Sequence, residues 1–316
     1  MYGLVLRKSL IPALGDIKLQ ELKPADVQHY IAKAVKDGYG GATIRQHLAI
    51  LSGALKAALL NNLVTHNVVG TVADKPRVPR PTTRVRANTL VASEARQLLA
   101  EAAKIGPMEH SYYAMMLSSG MRRSEAAALQ WTKIDFDKGS ITVDVQLDVP
   151  DEQGHFMLGP TKTADTRVII VGDDVLKLLR AHRQHQSQVK LKAGRADHYA
   201  DNGFVFAREH VHLTEPWHKL GMPLYVDSRG PGRLDVLTKR ANIKAISPHG
   251  LRDTCASLLA ANGVPLKVIS ERLGHARASM TLDRYISVLP GMQETAAKQL
   301  NTVLHAEKVP SFLQVN

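Results

Sequence analysis

Cysteine is all but missing from this chain of 316 residues: Cys255 stands alone, so no disulfide can form within it. That composition fits a reducing cytosol. Its neighbours Ala256, Leu258 and Leu259 mark it as a small core residue, not a reactive thiol. A run of about 18 apolar residues is also missing, which excludes a transmembrane helix and removes a membrane from the expected partners. Residues 1–10 hold no small-residue cleavage site and no sustained apolar run, so a signal peptide is not expected. Metal-site spacing is lacking too. His182, His185, His210 and His212 have no nearby Cys or Glu-His pattern and read as solvated histidines. Gly230-Pro-Gly232 lacks the Lys-Ser/Thr of a phosphate-binding loop and reads as a turn. No metal or other cofactor is expected. Aromatics make up only 5%, and Trp131 and Trp217 read as packing residues.

Acidic residues are outnumbered, 29 against 41 Lys and Arg, which leaves a net charge of +12 and a pI near 9.7. Such a balance points to a polyanionic partner. It is uneven: residues 1–87 hold 13 basic and 5 acidic side chains, a net +8.

The length suggests two domains, each able to bury a core. Pro24 suits the first turn of a helix running to about Asp37, stopped by Gly38 and Gly40. A second helix spans about 42–61, with Ile44, Leu48, Leu51, Leu55 and Leu59 forming one apolar face. The segment from Lys75 to Arg86 has three prolines, five basic residues and no acid. It reads as an extended linker, in which Lys75, Arg77, Arg80, Arg84 and Arg86 can track phosphates.

Beyond it the pattern mixes helices and strands. Helices are expected near 93–104, 108–118 and 122–130, with Ser93 capping the first. Residues 134–136 and 141–147 read as strands around an Asp-Lys-Gly turn at 137–139, and 167–171 as a third. A long polar helix fills about 173–192, and helices dominate from about 236 to 304.

Chemistry enters through scattered fragments. Arg122 lies in Ser-Gly-Met-Arg-Arg-Ser-Glu, Lys162 in Pro-Thr-Lys-Thr, and His249 and Arg252 in Pro-His-Gly-Leu-Arg. Leu-Gly-His275 follows, and Tyr285 comes ten residues later. Cleaving a phosphodiester without a metal requires stabilising negative charge on two non-bridging oxygens. Arginine suits this because its fork stays protonated and binds phosphate bidentately. Arg122 and Arg252 would supply that pair, and His249 and His275 two further donors, each worth about 3–4 kcal/mol in the barrier. Glu125 lies three residues after Arg122, on one helix face, and can orient it. Pro248 places His249 at a helix N-terminus, where backbone donors favour an anion. Lys162, on a connection between strands, can protonate a leaving 5′ oxygen.

These motifs, with the flank Leu-Gly-His-Ala-Arg-Ala-Ser-Met-Thr-Leu-Asp-Arg-Tyr, resemble the tyrosine recombinases of the phage-integrase type. The resemblance covers residues 88–304 strongly and 11–70 moderately. It implies a mainly α fold with a small antiparallel β-sheet: a helical SAM-like core-binding domain over 1–74, the basic linker 75–87, a mixed α+β catalytic domain over 88–304 and a tail over 305–316. It further implies a site-specific recombinase or integrase in which Tyr285 forms a 3′-phosphotyrosyl link and Lys162 is the general acid. Double-stranded DNA, a homotetramer on two DNA sites and host or phage DNA-bending proteins would be the partners, in a cytoplasmic, nucleoid-associated setting.

Two departures qualify the resemblance. The chain starts where the second core-binding helix of the family ends, so the first helix and an arm-binding domain are expected to be absent. Asn67-Val68 stands where Asn-Pro is usual. Two other functions share this chemistry: a DNA-binding relic with little recombination activity, and relaxation of a single duplex in the manner of type IB topoisomerases.

Overall fold

The computed structural model describes residues 2–72, 88–148, 156–161, 166–194, 198–209, 220–224, 234–274, 300–302 and 304. The chain forms two compact units, Met1–Arg80 and Pro81–Asn316.

The first unit is helical. α1 (Tyr2–Val5), a π-helical turn (Leu6–Leu10) and α2 (Ile11–Leu14) follow one another along the chain. Pro24 opens α3 (Pro24–Lys36), where its missing N–H costs no hydrogen bond, and Asp26 Oδ2 accepts the Lys23 N–H at 2.8 Å. Val27, Tyr30, Ile31 and Ala34 recur at three and four and are buried. α4 (Gly41–Leu60) turns Ile44, Leu48, Leu55 and Ala58 inward; Leu51 is half-buried, and Leu59, expected on the same face, is exposed. Asn67 caps a short 3₁₀ turn (Val68–Thr71) by accepting the Val69 N–H, and its amide donates to the Ser52 carbonyl at 3.0 Å.

The second unit is mixed. α5 (Ala92–Ile105) starts two residues earlier than Ser93 allows. Val91 is its cap position, and Glu94 takes the Val91 N–H at 2.8 Å, so a carboxylate does the capping expected of the serine. α6 (Pro107–Ser119) is central: Tyr112, Tyr113, Met115 and Met116 are all fully buried. α7 (Arg123–Ala128) is shorter than expected.

β1 (Ile134–Asp135), β2 (Ser140–Val143) and β5 (Arg167–Ile170) form an antiparallel sheet in the order β1-β2-β5. Asp135 Oδ1 accepts the N–H groups of Asp137 and Lys138, and Gly139 takes φ +62°, closing the Asp-Lys-Gly turn. The strand expected over 141–147 is two. Asp144 interrupts it and holds Lys133 at 2.5 Å, after which β3 (Val145–Leu147) pairs with β4 (Leu158–Pro160) in a separate hairpin.

The long helix α8 (Asp173–Ala193) buries Leu176, Leu179, His182 and Gln186 as one stripe. His182 therefore corrects the solvated reading. It is fully buried, its Nε2 lies 2.7 Å from the Val205 carbonyl, and its ring stacks on Phe206. Burial lowers its pKa to about 4. Gln186 bridges the Trp131 indole N–H and the Phe204 and Val205 carbonyls, so Trp131 packs as expected. Then come α9 (Leu234–Arg240), α10 (Pro248–Ala261) and α11 (Leu266–Leu273). Among the described residues no helix is long and apolar enough to cross a membrane.

Candidate active site

Residues 118–125 are the meeting point. Gly120 closes α6 at φ +66°, a left-handed conformation that glycine adopts without strain. A Cβ there would lie 2.6 Å from Leu273 Cδ2, so glycine also admits α11. The Gly120 carbonyl accepts a 2.9 Å hydrogen bond from Arg252 Nη1. Arg252 is 2% exposed on α10, whose buried face includes Leu251 and Cys255.

Two residues on, Arg122 stands at the cap position of α7. Its backbone N–H donates to Glu125 Oε2 at 2.7 Å and its Nη1 to Glu125 Oε1 at 2.6 Å. Its Nη2 donates to the Gly274 carbonyl at 3.1 Å. Gly274 is the left-handed cap of α11 and directly precedes His275. Glu125 is only 1% exposed, so the carboxylate that Arg122 meets is a buried one.

A second arginine completes it. Arg167, at the head of β5, donates to both Glu125 oxygens, at 3.1 and 2.5 Å, and its Nε donates to the Arg272 carbonyl at 3.0 Å. The Arg272 side chain answers in the other direction. It donates to the Ser118 carbonyl at 2.7 Å and the Ile170 carbonyl at 2.9 Å. Burial alone would raise the Glu125 pKa. Bonding and charge from Arg167, with the bonds from Arg122, outweigh it and hold the carboxyl below the usual range.

His249 is the second residue of α10, whose cap Ser247 accepts the Gly250 N–H at 3.2 Å. Its side chain is half exposed, with Nε2 3.8 Å from Asp253 Oδ1. Gly250 lets Asn88 approach: a Cβ would meet the Asn88 carbonyl oxygen at 2.4 Å. Asn88 Oδ1 in turn accepts the Ser247 N–H at 2.9 Å. Cys255 is buried, and that burial raises its pKa against the pull of Arg272 and Arg252, as suits a core thiol.

The structure thus brings Arg122, Glu125 and Arg252 to one segment and sets His249 one turn before Arg252. Lys162, His275 and Tyr285 lie outside the described residues, as do Lys75, Arg77, Arg80, Arg84, Arg86, His210, His212, Trp217, Gly230-Pro-Gly232 and the tail 305–316. Arg167 and Arg272 were not anticipated. The available signal was a charged residue heading an otherwise β-branched run five positions after Lys162. Among the described residues no group of three or more His, Cys, Asp or Glu is placed to hold a metal.

A helical unit followed by a mixed unit that gathers Arg122 and Arg252 agrees with the class of DNA strand-exchange enzymes that the motifs resemble. The chain belongs to the phage integrase family: the family's profile matches residues 88–291, and that of the phage integrase N-terminal SAM-like domain matches residues 1–34. It is a tyrosine recombinase by that membership. It is 26% identical over 298 residues to a "Tyrosine recombinase XerC-like" protein of Caldanaerobacter subterraneus subsp. tengcongensis, covering 91% of this chain and 73% of the relative. It is 28% identical over 302 residues to an "Integrase" of Streptomyces ambofaciens, covering 92% and 71%. The fold matches a Tn1549 transposon integrase solved in complex with transposon right end DNA, with a TM-score of 0.71 and 20% identity over 95% of this chain and 91% of that one.

Proposed function

We propose that this enzyme cuts and rejoins double-stranded DNA to integrate or excise a mobile element, through a 3′-phosphotyrosyl intermediate. The observation that carries the reading is the convergence of Arg122 and Arg252 on residues 120–125, with Arg122 bonded to the residue preceding His275. Two guanidinium groups held by backbone carbonyls and a buried carboxylate keep their geometry before substrate arrives. Preorganised donors of this kind stabilise developing charge on a phosphate.

In this reading the Tyr285 phenolic oxygen attacks the scissile phosphorus, and the bond to the 5′ oxygen breaks as Lys162 gives that oxygen a proton. Arg122, Arg252, His249 and His275 hold the non-bridging oxygens. A 5′ hydroxyl from a second duplex then reverses the step, so one phosphodiester is exchanged for another without energy input. Residues 1–74 grip the duplex, and Lys75, Arg77, Arg80, Arg84 and Arg86 follow its phosphates. Four copies act on two sites, with DNA-bending proteins of the host or phage assisting.

The test is a suicide duplex from the element's own end, nicked beside the cleavage point. Wild-type protein should form a covalent adduct stable in SDS, and Tyr285→Phe should form none while still shifting the duplex. Binding without any wild-type adduct would overturn the catalytic reading.

A further inference from the structure

We infer that Arg167 is a positioning residue for Arg122, acting through the Glu125 carboxylate and the end of α11; the inference deepens the proposed function and rests on it for its catalytic consequence. The geometry is specific. Glu125 has two oxygens and receives two guanidinium groups, with Arg167 reaching both oxygens and Arg122 Nη1 reaching Oε1. Arg122 itself reaches both oxygens, Oε2 through its backbone N–H and Oε1 through Nη1, but it does so from the start of the same helix and spends Nη2 on the Gly274 carbonyl, whereas Arg167 grips the carboxylate from a separate strand. Arg167 supplies the second constraint, and at 9% side-chain exposure it is more enclosed than Arg122 at 20%. The more exposed guanidinium is the one free to face a ligand, and the more enclosed one sets its angle.

The second half of the device is the crossed pair between β5 and α11. Arg167 Nε holds the Arg272 carbonyl, and the Arg272 side chain holds the Ile170 carbonyl at the other end of the same strand. Gly274 leaves room for this: a Cβ there would meet Arg167 Nη1 at 3.0 Å. The strand that follows Lys162 and the turn that precedes His275 are thus fastened to the carboxylate that aims Arg122. A planar fork makes these three bonds at once. An ammonium group keeps the charge and cannot span them.

Arg167→Lys and Arg167→Gln in the full-length chain test this with two readouts. The first is ¹⁵N NMR order of the Arg122 side-chain Nε–H in DNA-free protein; the second is single-turnover adduct formation on the suicide duplex at saturating protein. Arg167→Lys should recover most of the thermal stability lost in Arg167→Gln, yet leave the Arg122 Nε–H disordered and the adduct rate down on the order of 100-fold. Gel-shift affinity should stay within about twofold of wild type, since phosphate contacts across the whole duplex dominate binding. Recovery of Arg122 order and rate together with stability in Arg167→Lys would overturn the inference and leave charge balance as the role of Arg167. If the wild-type chain forms no adduct, the proposed function fails, and the loss or retention of Arg122 order in Arg167→Lys still decides the positioning role.

Discussion

The Glu125 carboxylate and the His182 imidazole are both buried in the second unit, at 1% and 0% exposure, and their surroundings differ in kind. Glu125 is charged and faces two arginines, one of which reaches solvent. His182 is kept neutral, bonded to the Val205 carbonyl and flanked by Gln186, which bonds Trp131 and the same carbonyl. The His182 cluster ties α8 to residues 204–209, with the Glu209 carboxylate 3.9 Å from His182 Nδ1 and 3.1 Å from His185 Nε2, and turns inward. The charged cluster draws on α7, β5 and the end of α11 and leaves a guanidinium at its edge. Burial of polar groups therefore serves two ends here, and the exposed edge distinguishes the one suited to chemistry.

The difference can be broken from the charged side first. Glu125→Ala leaves two arginines facing each other in a nearly dry site and should cost about 3–5 kcal/mol of stability, read by urea unfolding. Its pH dependence carries a sign. The folded pKa of Glu125 lies below the ordinary 4.5, so its contribution is complete above that value and is lost as pH falls through the folded one. The wild-type advantage over Glu125→Gln should shrink on acidification below about pH 4.5; an advantage that grows instead would refute the assignment.

Arg122→Ala comes next. Losing a preorganised donor should slow adduct formation by about 10²–10³-fold, roughly 3–4 kcal/mol. Stability should change much less, because Arg167 still pairs Glu125. Unchanged single-turnover kinetics would remove Arg122 from the site.

Acid should weaken the His182 site as it weakens the Glu125 site, but over a higher pH range, because here the native group is held neutral and not charged. With a folded pKa near 4 and an unfolded value near 6.5, the unfolded chain binds the His182 proton first. Stability should therefore be unaffected above about pH 6.5 and fall by roughly 3 kcal/mol between there and about pH 4. His182→Gln should flatten that slope in urea titrations. The smallest effect is expected for Trp131→Phe, which leaves Gln186 Oε1 without its indole donor and should cost about 1–3 kcal/mol with no change in adduct rate.

Helices were legible wherever apolar residues recurred at three and four, as at Val27, Tyr30, Ile31 and Ala34, because local periodicity decides which face is buried. Residues 141–147 misled because Ile141, Val143, Val145 and Leu147 alternate without a break. At Asp144 the pairing passes from β5 to β4 and the carboxylate meets Lys133, partners invisible to the pattern. Arg122 and Glu125 could be paired from spacing, since one helical turn brings them together. Arg167 could not, because its partners lie 42 and 105 residues away. His182 sits on a mostly polar helix, and only the chain at 204–206, folded back against it, makes it a core residue.

Asn88 and Leu90 reach Ser247 and Thr254 across 159 and 164 residues. During synthesis at about 5–20 residues per second, these opening residues of the second unit wait roughly 8–30 s for their partners to be made. The turn that carries His249 is therefore closed by the oldest part of the unit meeting some of its newest. A nascent chain stopped short of Ser247 has nothing to close upon.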